Sequence, residues 1–217
     1  MQYRAFDSRT PEAAARPACT KLFGDLSGTG LNVIDCREMS LFEVEVPETK
    51  PETEWVRGRP LQKLSPTYEQ SVLQKILLRA LAAWAEEGEF GRVAPGWRFR
   101  VAPADDIIRP LVPDIAYLSY DELPLDAAPE ALQAPLGAPT VAVEIVSPED
   151  RRLDLNDKIN AYLEAGSSAV IVVDAKAGTV EVHDDVMSVL AAGDTLQHPA
   201  LPGFALDIGE MFAQMKH

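Results

Sequence analysis

The chain is poor in the residues that build several common kinds of site. Only two cysteines, Cys19 and Cys36, occur among 217 residues. Their spacing fits no metal motif, which points to two reduced thiols in a cytoplasmic protein rather than a disulfide scaffold. The three histidines, His183, His198 and His217, are too dispersed for a zinc motif. No run of 18 or more apolar residues appears, so no transmembrane helix is expected. The opening "MQYRAFDSRTPEAAARPACT" has no apolar signal core, and export is not expected. "GDLSGTGLN" lacks the Lys-Ser/Thr of a phosphate loop, and Ser147 stands outside any nucleophile-elbow pattern. Basic charge is also scarce: 20 Lys and Arg face 34 Asp and Glu, for a net charge of −14. Such a chain attracts nucleic acid poorly at long range, because phosphate contacts dominate that binding.

What is present is an ordinary globular composition, 47% apolar and 25% charged, in a length suited to one sizeable core. The acid is unevenly spread. Residues 113–217 carry five Lys and Arg against 18 Asp and Glu, whereas residues 57–112 carry nine against six. The basic segment, with Arg57, Arg59, Lys63, Lys75, Arg79, Arg98 and Arg100, is either a local phosphate-facing patch or a scatter of solvated charges.

Residues 1–50 show weak periodicity and read as a partly ordered N-terminal arm before a domain spanning 51–217. Within this stretch "EVEV" alternates like a short strand, while "PETKPETE" reads as a linker. "EWVRGRPLQKLS" predicts a hairpin bent around Gly58 and Pro60. A helix then follows, with Ser65 as N-cap, Pro66 as first residue, and Val72, Leu73, Ile76, Leu77, Ala80, Leu81 and Trp84 on one face. Glu69 falls on or beside that face, an unusual place for a carboxylate and a candidate site position. "GRVAPGWRFRVAP" and "LVPDIAYLSY" read as strands separated by a loop with Asp105, Asp106 and Arg109. "DELPLDAAPEALQAPLGAP" is a surface connection. After the strand "TVAVEIV", a helix from about Pro148 to Ala165 ends with Gly166 at C′. "AVIVVDAKAGTVEVH" forms a hairpin turning at "AKAG", further short strands follow, and "IGEMFAQM" closes as a helical turn. The pattern predicts an α/β (α+β) fold, a mixed sheet with helices packed on it.

Two carboxylates stand out against that pattern. Glu144 lies inside a β-branched strand of the kind buried on both faces, where an ionised group costs several kcal/mol unless something pairs with it. Asp114 opens a neighbouring apolar strand after Pro113. Converging carboxylates suit Mg²⁺, which takes one or two of them together with water and substrate phosphate. Lys158, on the following helix between Leu155 and Tyr162, can lean toward the sheet and neutralise developing negative charge. The spacing leaves a structural alternative open: an Arg partner for Glu144, and a helical pair between Lys158 and Asp154.

The order Pro113-Asp114, Glu144 in "VEIVSP", Lys158 in "DLNDKINAYLEAG", then "VIVVD" and "TVEVH" resembles a known family. It is similar to the Uma-type putative restriction endonucleases, bacterial members of the PD-(D/E)XK nuclease superfamily. "EWVRGRPLQKLSP" before a long helix also resembles that family's N-terminal hairpin and first helix. The likeness runs from about Glu54 to His183. It implies a restriction-endonuclease-like core, a mixed sheet flanked by helices, in which Asp114, Glu144 and the backbone carbonyl of Ile145 hold Mg²⁺ or Mn²⁺. It implies Lys158 as a catalytic group displaced to the helix, since Val146 stands two residues after the acid. Many relatives carry a His early in the first helix, where this chain has Gln70, with Glu69 beside it as a candidate substitute. The resemblance implies DNA as the partner; the lack of a long apolar run implies no membrane partner, and a homodimer is a further candidate. Three functions compete: a Mg²⁺-dependent DNA endonuclease, a non-cutting interaction or regulatory module on the same fold, and a hydrolase of small phosphorylated molecules.

Overall fold

The computed structural model describes residues 43–46, 50–104 and 106–216. Cys19, Cys36, Asp105, His217 and most of the expected arm lie outside the described residues. The last part of that arm does pair: Val44 N–H donates to the Ile108 carbonyl at 2.8 Å, and Glu43 bridges alongside Ile108.

The first hairpin joins β1 (Thr53–Val56) to β2 (Arg59–Gln62). Its two turn residues, Arg57 and Gly58, both have positive φ, 50° and 72°. A two-residue turn of that hand matches the twist of the strands, and glycine accepts it without steric cost. Pro60 therefore lies within β2, opposite Trp55, rather than in the bend.

Helix α1 runs Tyr68–Glu87 and starts later than the Ser65-Pro66 signal suggests. A capping box decides the start. Thr67 Oγ1 accepts from Gln70 N–H at 3.3 Å, and Gln70 Oε1 accepts from Thr67 N–H at 2.8 Å. The buried stripe is Leu73, Ile76, Leu77, Leu81 and Ala85. At about 100° per residue, the axis of that stripe passes nearer Gln70 than Glu69. Glu69 is accordingly exposed, which corrects its expected place on the buried face.

The two long strand-like stretches each break in two. β3 (Gly91–Pro95) and β4 (Phe99–Val101) part at Gly96, and β5 (Arg109–Leu111) and β6 (Ile115–Ser119) part at Pro113-Asp114. A short α2 (Pro129–Gln133) sits in the Pro-rich connection before β7 (Val141–Ile145). Helix α3 (Arg152–Glu164) starts four residues after Pro148, because Ser147–Asp150 first forms a turn in which Ser147 N–H donates to Asp150 Oδ2. It ends as the sequence indicates, with Gly166 at φ 103° just beyond the cap. Then come β8 (Ala169–Asp174), β9 (Thr179–His183), β10 (Ser188–Leu190), β11 (Thr195–Leu196), β12 (Leu206–Asp207) and α4 (Ile208–Ala213).

The main sheet has the order β10-β9-β8-β7-β6-β3, with β7 and β8 parallel across α3 and the other pairs antiparallel. One face packs on α1 and α4, with Trp84 against Phe90, Tyr117 and Phe204. The other packs on α3 and the first hairpin. β7 is buried on both faces, and its side chains alternate between these two cores. No described helix is long and apolar enough to cross a membrane.

Candidate active site

Sheet register brings the two predicted carboxylates together. β6 and β7 are antiparallel, with Ile115 opposite Val143. One step further along the register, where β6 has just begun, Asp114 lies across from Glu144. Asp114 Oδ2 accepts from Ile145 N–H at 2.7 Å, so this carboxylate is tied to the residue following Glu144. Gln74 Nε2 fixes the Asp114 carbonyl at 2.7 Å.

Glu144 is 5% exposed and faces α3. Lys158 Nζ lies 2.7 Å from its Oε1, and the Tyr162 hydroxyl donates to the same oxygen at 3.2 Å. Lys158 and Tyr162 are four residues apart and therefore share one helical face. The helical pair between Lys158 and Asp154 does not form. Asp154 instead meets Arg59 at 2.7 Å and Arg57 at 3.6 Å, both from the first hairpin.

Two further charged residues belong to the cluster, and sequence reasoning missed their role. Glu54 on β1 is 2% exposed and lies 3.0 Å from Lys158 Nζ. Its Oε1 also accepts from Val112 N–H at 2.8 Å. Lys63, just past β2, donates to Asp114 Oδ1 and to the Val112 carbonyl, each at 2.8 Å. A signal for both was present in the hairpin. Glu54 alternates with the apolar Val56, and Lys63 with Leu61, so period two aims both charges inward.

Glu54, Lys63, Gln70, Asp114, Glu144, Ile145 and Lys158 line one cavity of about 480 Å³. Glu69 does not line it. The Ile145 carbonyl accepts from Gln70 Nε2 at 3.1 Å.

The electrostatics follow from packing three carboxylates with two ammonium groups, Glu54, Glu144 and Lys158 buried and Asp114 and Lys63 half-buried. Desolvation pushes the Glu144 carboxyl up to about 7, against the opposing pull of Lys158 and Lys63; Asp114 and Glu54 add to the rise. Burial alone would raise Asp114, but Lys63 and Lys158 outweigh it and hold that carboxyl below its ordinary value. Burial likewise works against the charge on both lysines. The neighbouring carboxylates prevail, so Lys158 and Lys63 stay protonated above the ordinary lysine range. Asp114 is thus a firm anion, while Glu144 titrates near neutrality.

Asp114, Glu144 and the Ile145 carbonyl are all hard oxygen donors on one wall, the set a small divalent cation takes. Among the described residues Glu144 Oε2 makes no hydrogen bond, which leaves it available as a ligand to a cation. Among the described residues no three His, Cys, Asp or Glu side chains converge as a metal cluster. The donor chemistry therefore fits an ion that keeps part of its shell from water or phosphate, as Mg²⁺ does.

The fold and site can be set beside known proteins. A family model described as "Uma2: Putative restriction endonuclease" matches residues 40–209. No curated protein matches the chain. Among solved structures, the chain resembles a "putative nuclease belonging to DUF820 from Anabaena variabilis", with 21% identity and a TM-score of 0.69. That match covers 78% of this chain and 94% of the other. The fold is accordingly the restriction-endonuclease-like one, a mixed sheet flanked by helices.

Proposed function

The chain belongs to the Uma2 putative restriction endonuclease family, and from that premise we propose that it is a Mg²⁺-dependent endonuclease hydrolysing DNA phosphodiester bonds. The observation that carries this reading is the junction of Asp114 and Glu144 on one cavity wall, with two ammonium groups directed at them. Asp114, Glu144 and the Ile145 carbonyl would hold the ion. Its chemistry when bound is Lewis-acid polarisation of a phosphoryl oxygen.

The chain's own residues do the rest. Lys158 and Lys63 are the cations nearest the carboxylates, and each can turn part of its charge toward a phosphate in the transition state. Glu54 and the Val112 backbone hold these two lysines in place from the hairpin side. Tyr162 fixes one oxygen of Glu144 and leaves the other for the cavity.

Charge balance argues for a cation before substrate. The cavity lining carries seven carboxylates (Glu52, Glu54, Asp114, Glu144, Glu149, Asp150 and Asp154) against four basic side chains (Arg59, Lys63, Arg151 and Lys158). A polyanion is repelled from such a wall until a divalent ion has shifted its charge. Cleavage is therefore expected to depend on the metal.

The test is incubation of plasmid and linear DNA with the protein in Mg²⁺ or Mn²⁺, beside Asp114→Asn. The parent is expected to cut, and the variant to cut at least about a hundredfold more slowly, the scale of losing one electrostatic stabiliser of the transition state. A parent that binds the metal and cuts no DNA would favour the non-cutting module. Metal-dependent release of phosphate from small phosphoesters alone would favour the third reading.

A further inference from the structure

We propose that Gln70 presents a fixed N–H donor to a phosphate oxygen of the bound DNA, an inference that rests on the nuclease reading and adds a substrate contact to it. Both ends of the Gln70 amide are held. Oε1 accepts from Thr67 N–H at 2.8 Å, and Nε2 donates to the Ile145 carbonyl at 3.1 Å. A backbone N–H can only donate and a carbonyl can only accept, so the two partners demand the same orientation of the amide. Rotating the amide by half a turn would lose both bonds at once. The orientation is therefore fixed by chemistry.

Gln70 lines the cavity with Glu144, Ile145 and Lys158, so this lock has a consequence for what enters it. Its carbonyl oxygen, the end that a cation would take, is committed to the helix cap. Nε2 carries two hydrogens. One goes to Ile145, and the second meets no acceptor among the described residues. The second N–H can only donate, so it offers a cation no ligand and offers an anionic oxygen a partner. Gln70 thus serves the substrate beside the ion that Asp114, Glu144 and the Ile145 carbonyl would hold. Being neutral, it holds a phosphate oxygen without a titration of its own.

Three variants separate this role from capping. Gln70→Glu keeps an acceptor for Thr67 N–H but replaces the donor with an anion. Gln70→Leu removes both functions. Thr67→Ala weakens the same cap and leaves the donor in place. Each is compared with the parent by thermal denaturation, by anisotropy of a fluorescein-labelled DNA duplex in Ca²⁺, and by KM and kcat in Mg²⁺. Gln70→Leu is expected to bind the duplex about ten- to a hundredfold more weakly, the scale of one hydrogen bond to a charged group. Gln70→Glu should bind at least as weakly and melt at or below the parent, since its carboxylate keeps the Thr67 bond and loses the Ile145 one. Thr67→Ala should melt lower, by a few degrees, yet bind as the parent does.

Parent-like binding and KM in Gln70→Glu and Gln70→Leu would overturn the inference while leaving the nuclease reading intact. So would a loss in Thr67→Ala that matches Gln70→Leu, since capping would then account for everything. A parent that binds no duplex with any divalent ion would overturn the nuclease reading, and this inference with it.

Discussion

Strand β7 faces two interiors built on different physics. Val141, Val143 and Ile145 enter a core shared with α1 and α4, made of buried aliphatic and aromatic side chains. Ala142 and Glu144 turn toward α3, where Tyr162, Ile159 and Leu155 are interrupted by Lys158 and, from the hairpin, Glu54. The first interior gains stability from area removed from water, which is indifferent to pH. The second carries buried charges that repay their desolvation only while every partner is present. A protein needing stability alone would gain by making the second face resemble the first, since buried ion pairs are often matched by apolar replacements. Retaining the charges at such cost suits a site that must bind a cation and a phosphate.

Breaking one partner on the charged face should give the largest effect. Lys158→Met leaves Glu54 and Glu144 buried without their shared ammonium, at a cost of about 3–5 kcal/mol near neutral pH. Lys158 is the strongest influence opposing the rise of Glu144, so its removal lifts that folded-state value further. Ionisation then opposes folding more strongly as pH rises. Chemical denaturation at about pH 5 and about pH 8 should show a penalty that grows with pH. A penalty independent of pH would contradict the coupling.

Leu77→Ala is the matching cut on the apolar face. Leu77 is fully buried in the α1 core, and its truncation should cost about 2–5 kcal/mol. The same two-pH experiment should return the same loss at both values. A pH-dependent loss here would erase the distinction between the faces.

A subtler change sharpens the comparison within one residue. In metal-free protein Glu144 titrates at about 7 when folded, against an ordinary value of 4.5. A folded value above the unfolded one means that the native state holds the proton more tightly. Stability contributed by Glu144 is therefore complete below the unfolded value and is lost as pH rises between the two. The loss is on the order of 3 kcal/mol. Glu144→Gln should remove that slope, leaving a variant at least as stable as the parent near neutrality. A variant markedly less stable at that pH would identify Glu144 as a structural ion-pair partner.

The two faces were not equally legible in the sequence. The α1 stripe, the β8–β9 hairpin and the Gly166 stop could be read because periodicity and turn chemistry are local. Glu144 was conspicuous because a carboxylate breaks a run of Val and Ile. Asp114 followed from its place before an apolar strand, although only the β6–β7 register explains why it lies across from Glu144. Glu54 and Lys63 stayed hidden. They come from a hairpin of two four-residue strands, too short to show a clear alternation, and they meet partners far along the chain, Lys158 and Asp114. Arg57 and Arg59 likewise pair with Asp154 across that distance, and the alternative helical pair of Lys158 with Asp154 does not form. Glu69 misled because seven stripe residues do not fix the helix axis well at its first turn, where the capping box turns Gln70 inward instead.

The central claim is that the charged face of β7 is a divalent-cation site. Calorimetric titration of metal-free protein with Mn²⁺ tests it most directly, comparing the parent with Asp114→Asn, Glu144→Gln and the double variant. The account predicts saturable binding by the parent, weakened at least about tenfold in either single variant, since even groups that only support a metal ligand are worth that much. The double variant should show no binding. Equal binding by the double variant and the parent would contradict the account.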